Sequence, residues 1–190
     1  MTMLLLTITL ALAGRWDDAV NDVEAQRTMP RAPAEVYEEL SDLATYKALF
    51  PEDCARDWLV TQPTTGIDAQ ITVRYTFGPL RRKLTAVITK EAPGSLWQLE
   101  HKGNRGWYTQ FRLAEGAAPG ETHLTLLTPL AAPPWPFRGI FHKRVRPAMQ
   151  ACYTEVLSAL EARVAARPRA TPVDEAPIDT APAVEEVPVG

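Results

Sequence analysis

Cysteine, histidine and glycine are scarce in this chain, at two, three and ten of 190 residues. Cys54 and Cys152 lack CxxC spacing and fall on different expected elements, which excludes a zinc ribbon or a local redox motif. A bridge between them needs Cα atoms within about 7 Å; the plainer reading is two half-buried free thiols. His101, His123 and His142 are scattered and form no HExxH pattern, so no metal is expected. There is no GxSxG elbow, and Gly103 and Gly106 form no phosphate loop. Glu38 and Glu39 are neighbours that point different ways on a helix, as on a solvated face. The sequence therefore assigns no catalytic residue and no cofactor.

Charge of one sign is also missing. The net charge is −3, and the end of the chain carries it. From Pro168 onward Asp174, Glu175, Asp179, Glu185 and Glu186 face one Arg169, a net of −4 that leaves the rest near +1. That balance argues against a dedicated nucleic-acid binder. A hydrophobic fraction of 46% over this length suits one domain with a sizeable core.

No apolar run reaches the ~20 residues that span a membrane. The longest, MLLLTITLALA at 3–13, is stopped by Gly14-Arg15-Trp16-Asp17-Asp18. Its length fits a signal-peptide core and Ala11-Leu12-Ala13 resembles a cleavage site, yet no Lys or Arg precedes it. Three readings of segment 1–18 stand: a truncated anchor or misassigned start, an atypical export signal, or a stretch packed on the protein. The first two favour a membrane-associated or exported protein over a cytoplasmic one.

What is present is a clear sequence of patterns. A first strand is expected over 19–29, then a helix opened by Arg31-Ala32-Pro33 with Val36, Tyr37, Leu40 and Leu43 in helical spacing. Ser41-Asp42 caps a second short helix over 43–50, which Pro51 stops. Strand-type runs follow at 56–62, 69–77, 81–90, 96–101, 105–113 and 121–128, separated by turn residues. Short links between them make an antiparallel meander. A long helix is expected over 137–166, bracketed by Pro133, Pro134, Pro136 and Pro168. Phe141, Val145, Met149, Cys152, Tyr153, Val156, Leu157, Leu160 and Val164 form its apolar face, onto which Arg146 and Arg163 stray. From 167 to 190 the composition is proline-rich and acidic without a period, as in a disordered tail. The domain proper is thus 19–166.

The stretch RTMPRAPAEVYEELSDL at 27–43 resembles the opening of START-like (SRPBCC) proteins, the group of polyketide cyclases/dehydrases and lipid-transport proteins. YKALFPEDC at 46–54 is also similar to their coenzyme Q-binding branch. The resemblance implies a helix-grip α+β fold: a curved antiparallel sheet of about seven strands around a long C-terminal helix, with an elongated apolar cavity between them.

A bent sheet cannot lie flush along a straight helix, so the pattern alone also points to space between the two. Tyr75, Trp97, Trp107, Phe111, Leu124, Met149 and Tyr153 are the candidate lining residues, each with plain core packing as its rival reading. Arg74, Tyr108 and His123 have the opposite parity from their apolar neighbours and are expected outside. Two basic groups, Arg81-Arg82-Lys83 and His142-Lys143-Arg144 with Arg146, either solubilise the domain or meet at one end of the cavity and attract an anion. The expected function is non-enzymatic binding or transport of a hydrophobic small molecule: a lipid, isoprenoid quinone or polyketide-like compound. The alternatives are a polyketide cyclase/dehydrase-type enzyme and an interaction protein with a vestigial cavity.

Overall fold

The computed structural model describes residues 22–103, 107–129 and 138–168. Segment 1–18, the acidic tail from 169, the proline-rich stretch 130–137 and the turn at 104–106 lie outside the described residues. β1 (Val23–Met29) buries Val23, Ala25 and Met29 and exposes Glu24, Gln26 and Thr28, the alternation its sequence shows. α1 (Pro33–Leu40) starts with proline at its first position, and Glu35 Oε2 accepts the Ala32 N–H at 3.3 Å. α2 (Leu43–Ala48) is capped by the Asp42 carboxylate, which accepts from Ala44 N at 3.3 Å and Thr45 N at 3.2 Å.

Six strands follow: β2 (Ala55–Val60), β3 (Gln70–Phe77), β4 (Leu80–Ala92), β5 (Leu96–His101), β6 (Tyr108–Glu115) and β7 (Thr122–Thr128). They join β1 in one antiparallel sheet of order β1-β7-β6-β5-β4-β3-β2. Register shifts interrupt β2 between Arg56 and Leu59, where Asp57 takes φ 56°, and β4 between Ile88 and Lys90. Such bulges bend a strand and increase its twist. The curled sheet grips the last helix, α3 (Arg146–Ala166), which packs most closely along β1. The architecture is the helix-grip α+β fold.

The expected helix over 137–166 is not uniform. A short turn, Arg138–Ile140, leads into a π-helical turn, Phe141–Val145, and only then into α3. Pro147 accounts for this: it has no N–H and its ring crowds the carbonyl one turn back, so the preceding turn widens. The apolar stripe survives, with all nine expected residues from Phe141 to Val164 buried.

Arg31 does more than open α1. It is buried, its Nε donates to Val164 O at 3.0 Å, and its Nη2 donates to Arg167 O. The guanidinium therefore satisfies carbonyls that the end of α3 leaves without helical partners. Thr122 Oγ1 in turn donates to Arg31 O at 2.6 Å, tying the loop to β7. Arg31→Ala should lower unfolding free energy by about 2 kcal/mol in urea titrations, because charged hydrogen bonds to buried acceptors are lost. Arg81→Ala, at an exposed position on β4, should change it by less than about 0.5 kcal/mol.

Candidate ligand site between sheet and helix

The strands point alternate residues at α3, and this parity places the candidates. Trp97 and Phe111 are opposed across β5 and β6 with ring centroids 5.6 Å apart. Tyr75 stacks on Phe77 at 5.4 Å, and Phe77 meets Tyr153 of α3 edge-on at 6.4 Å. Leu124 and Met149 belong to the same core cluster, and both are fully buried. Trp107 is half-buried just before β6, its ring 5.1 Å from that of His101. All seven candidates thus meet in one aromatic-rich interior. Arg74 and His123 are exposed and Tyr108 is half-buried, as their parity requires; Arg74 pairs with Asp57 at 3.1 Å.

A polar chain runs through this apolar interior. His101 Nε2 lies 3.1 Å from Thr109 Oγ1, which lies 3.2 Å from Thr128 Oγ1, which lies 2.7 Å from the Tyr153 hydroxyl. Each hydroxyl has one proton to give, so the chain has a single direction at any moment, and either direction satisfies it. If Tyr153 donates first, His101 accepts at Nε2 and carries its proton on Nδ1. If His101 donates, Nδ1 is a bare acceptor.

Among the described residues Trp97 Nε1, His101 Nδ1 and Trp107 Nε1 are buried without a hydrogen-bond partner, and the buried Tyr46 hydroxyl has that of Tyr75 beside it. They are neighbours. Tyr46 touches Trp97 edge-on at 5.2 Å, and Tyr75 bridges toward His101 at 5.9 Å. Burial pushes the phenols of Tyr46, Tyr75 and Tyr153 well above their ordinary range and lowers His101 to about 4. At neutral pH the interior therefore holds neutral phenols and a neutral imidazole.

Cys54 and Cys152 turn out to be neighbours whose thiols interact, and both are free and buried rather than half-buried. Burial raises both thiols, so neither is an activated nucleophile. They floor a surface cleft of about 290 Å³ whose other walls include Thr76, Gly78, Ala148, Ala151 and Glu155. The Cys152 thiol also lies near enough to Tyr46, Tyr75 and Tyr153 to interact with their hydroxyls, so the thiol pair adjoins the phenol cluster as well as this cleft. A second cleft of about 790 Å³ opens between α2 and β2, beside Lys47, Phe50, Arg56 and Trp58. Among the described residues no three His, Cys, Asp or Glu side chains are grouped to hold a metal ion.

Sequence reading missed Tyr46, His101 and Thr128 as members of this buried polar cluster. His101 shares parity with Trp97 and Leu99, and that signal marks it as inward. Thr128 and Tyr46 gain their place only through tertiary packing.

No family model and no curated protein matches this chain. Solved structures do. The KanY protein, solved by NMR, shares 16% identity over 76% of this chain and 97% of its own, with a TM-score of 0.63. TTHA0849 from Thermus thermophilus shares 18% over the same fractions, with a TM-score of 0.62. The Aha1 dimer from Colwellia psychrerythraea shares 13% over 75% of this chain and 95% of its own, at 0.51. Identities this low speak for the fold alone, and that fold is the helix grip.

The buried imidazole makes stability depend on pH. In the unfolded chain His101 takes up a proton near pH 6.5, whereas in the folded protein it stays neutral down to about 4. Its contribution is complete above pH 6.5 and is lost as pH falls toward 4, about 3 kcal/mol in all. Urea unfolding between pH 7 and 4 should show this loss, and His101→Phe should flatten that part of the profile whatever its own stability.

Proposed function

We propose that this protein is a non-enzymatic binding module for a hydrophobic small molecule that carries hydrogen-bond-accepting oxygens. An isoprenoid quinone, a polyketide-like compound or an oxygenated lipid has this chemistry. The observation that carries the reading is the set of unpartnered polar atoms in the interior. Tryptophan N–H groups only donate, so these atoms call for acceptors such as carbonyl oxygens. An unmade buried hydrogen bond costs about 1–3 kcal/mol, and a ligand oxygen recovers it. Tyr75, Phe111, Leu124, Met149 and Tyr153 would supply the apolar walls, and the cleft floored by Cys54 and Cys152 the approach. The resemblance of 27–54 to START-like proteins supports the same assignment. Attachment to a membrane through segment 1–18 belongs to this proposal as a separate element.

The direct test is native mass spectrometry of protein purified from its own host, with a co-purified apolar compound as the expected result. Protein that emerges empty and ignores quinone and polyketide probes would instead have a vestigial cavity. A sharper signature comes from Trp97→Phe, which deletes a donor and keeps an aromatic ring. It should weaken binding of a quinone analogue roughly tenfold, while stability holds or rises because an unpaired polar atom has gone. Falling stability with unchanged binding would sink the reading.

The cyclase-type alternative draws on the bare-acceptor state of His101, which is unprotonated at neutral pH, although its lowered pKa makes it a weak base there. Nitrogen-15 NMR decides between the two. The binding reading expects the proton on Nδ1, and the enzyme reading expects it on Nε2.

A further inference from the structure

We propose that one end of the domain, built from the β3–β4 turn and the first turns of the last helix, docks on an anionic phospholipid surface. Two basic segments some sixty residues apart in sequence meet there. Gly78, at φ +59°, sits so close that a Cβ on it would lie 3.0 Å from Arg144 O and 3.8 Å from Ala148 Cβ. That approach sets Arg81, Arg82 and Lys83, which follow the turn, beside Lys143, Arg144 and Arg146. Arg82 pairs with inward-facing Tyr75 in register and so lies on the concave side with the helix. Arg81 and Lys83 lie on the convex side.

Among the described residues these cations have no ion-pair partner. The ion pairs among the described residues are Arg27–Glu161, Arg74–Asp57, Arg163–Glu39 and Arg167–Glu38, and none involves the six. Five of the six are exposed and Arg146 is half-buried. Asp53 and Glu155 line the neighbouring cleft and bound the patch on one side. Outside its acidic end the whole chain is near +1, so six unmatched cations at one end are a local concentration of charge. Ile140, one turn before Arg144, is 51% exposed. An exposed apolar side chain one turn from Lys143 and Arg144 suits the headgroup–acyl boundary of an anionic membrane, where each nearby Lys or Arg strengthens attachment. A nucleic acid would use the charge and leave Ile140 without a role. The surface stands on charge and backbone contact, independently of what the interior binds.

The test is sedimentation of the full chain with vesicles of phosphatidylcholine alone and vesicles in which part of it is replaced by phosphatidylglycerol. Binding should be stronger to the anionic vesicles, and that excess should fall as salt rises, whereas any attachment through segment 1–18 is common to both vesicles and indifferent to salt. The triple variant Arg81→Glu/Arg82→Glu/Lys83→Glu, with circular dichroism to confirm folding, should lower the excess at least tenfold. Lys90→Glu, exposed at the far end of β4, should leave it within about twofold, and Ile140→Ser should weaken it without changing its salt dependence. Equal binding to neutral vesicles, a triple variant that binds like the parent, or capture of a mixed-sequence oligonucleotide in place of vesicles would overturn the proposal.

Discussion

A bent sheet closed around a straight helix sets the terms for everything else in this protein. The helix can touch the sheet closely along one line only, and here that line is β1. Away from it the gap widens and must be filled by long side chains or by a ligand. Aromatic residues do the filling: Tyr46, Phe50, Trp58, Tyr75, Phe77, Trp97 and Phe111 form a continuous set of ring contacts across the interior. Each ring buries a large area, and edge-on pairs add a little more. The same rings bring N–H and O–H groups into a place with few partners for them.

That conflict is the most informative feature of the site. A core selected for stability alone would use leucine or phenylalanine where Trp97 stands, because an unpaired buried donor is a net loss. His101 adds to the cost, since its burial forbids the charge that water would allow near neutral pH. Retaining several such groups close together is what a site needs when its occupant supplies the missing acceptors. The threonine–tyrosine chain holds the imidazole in place without settling its tautomer, so an arriving oxygen atom can settle it.

Local patterns carried the fold well. Ile71, Val73, Tyr75 and Phe77 announce β3 by alternation, Asp42 announces α2 by its cap, and the nine-residue stripe announces the gripped helix. Where an outcome depended on long-range register, the sequence was silent. Arg31 reads as the start of a helix, yet its partner is a carbonyl 133 residues away. The interacting Cys54 and Cys152 thiols and the four-residue polar chain likewise exist only once the helix is seated. Pro147 sits inside a convincing apolar period, and the period hides the wide turn that the proline forces. That Tyr75, Trp97, Phe111 and Leu124 point inward was legible because parity is a local property; that Trp97 Nε1 would find no partner there was not.

The two ends of the last helix are held differently, and this asymmetry links the interior to the surface. The C-terminal half is pinned by Arg27 to Glu161 and Ser158, by Arg31 to the final carbonyls, and by Arg163 and Arg167 to Glu39 and Glu38. Each exposed pair is weak singly, but they act on one rigid element together. The N-terminal end has a π turn, a proline inside the helix and, among the described residues, cations without acidic partners; Gln150 to Glu24 O, the Gly78 approach and the buried Phe141 and Val145 hold it. Local opening follows the weaker end of a structure. The cleft floored by the thiol pair lies at that end, beside Gly78 and Ala148. A hydrophobic ligand reaching the phenol cluster would therefore pass where the helix is least restrained. An anionic membrane held against the same end would bring that entrance to the phase in which such a ligand dissolves.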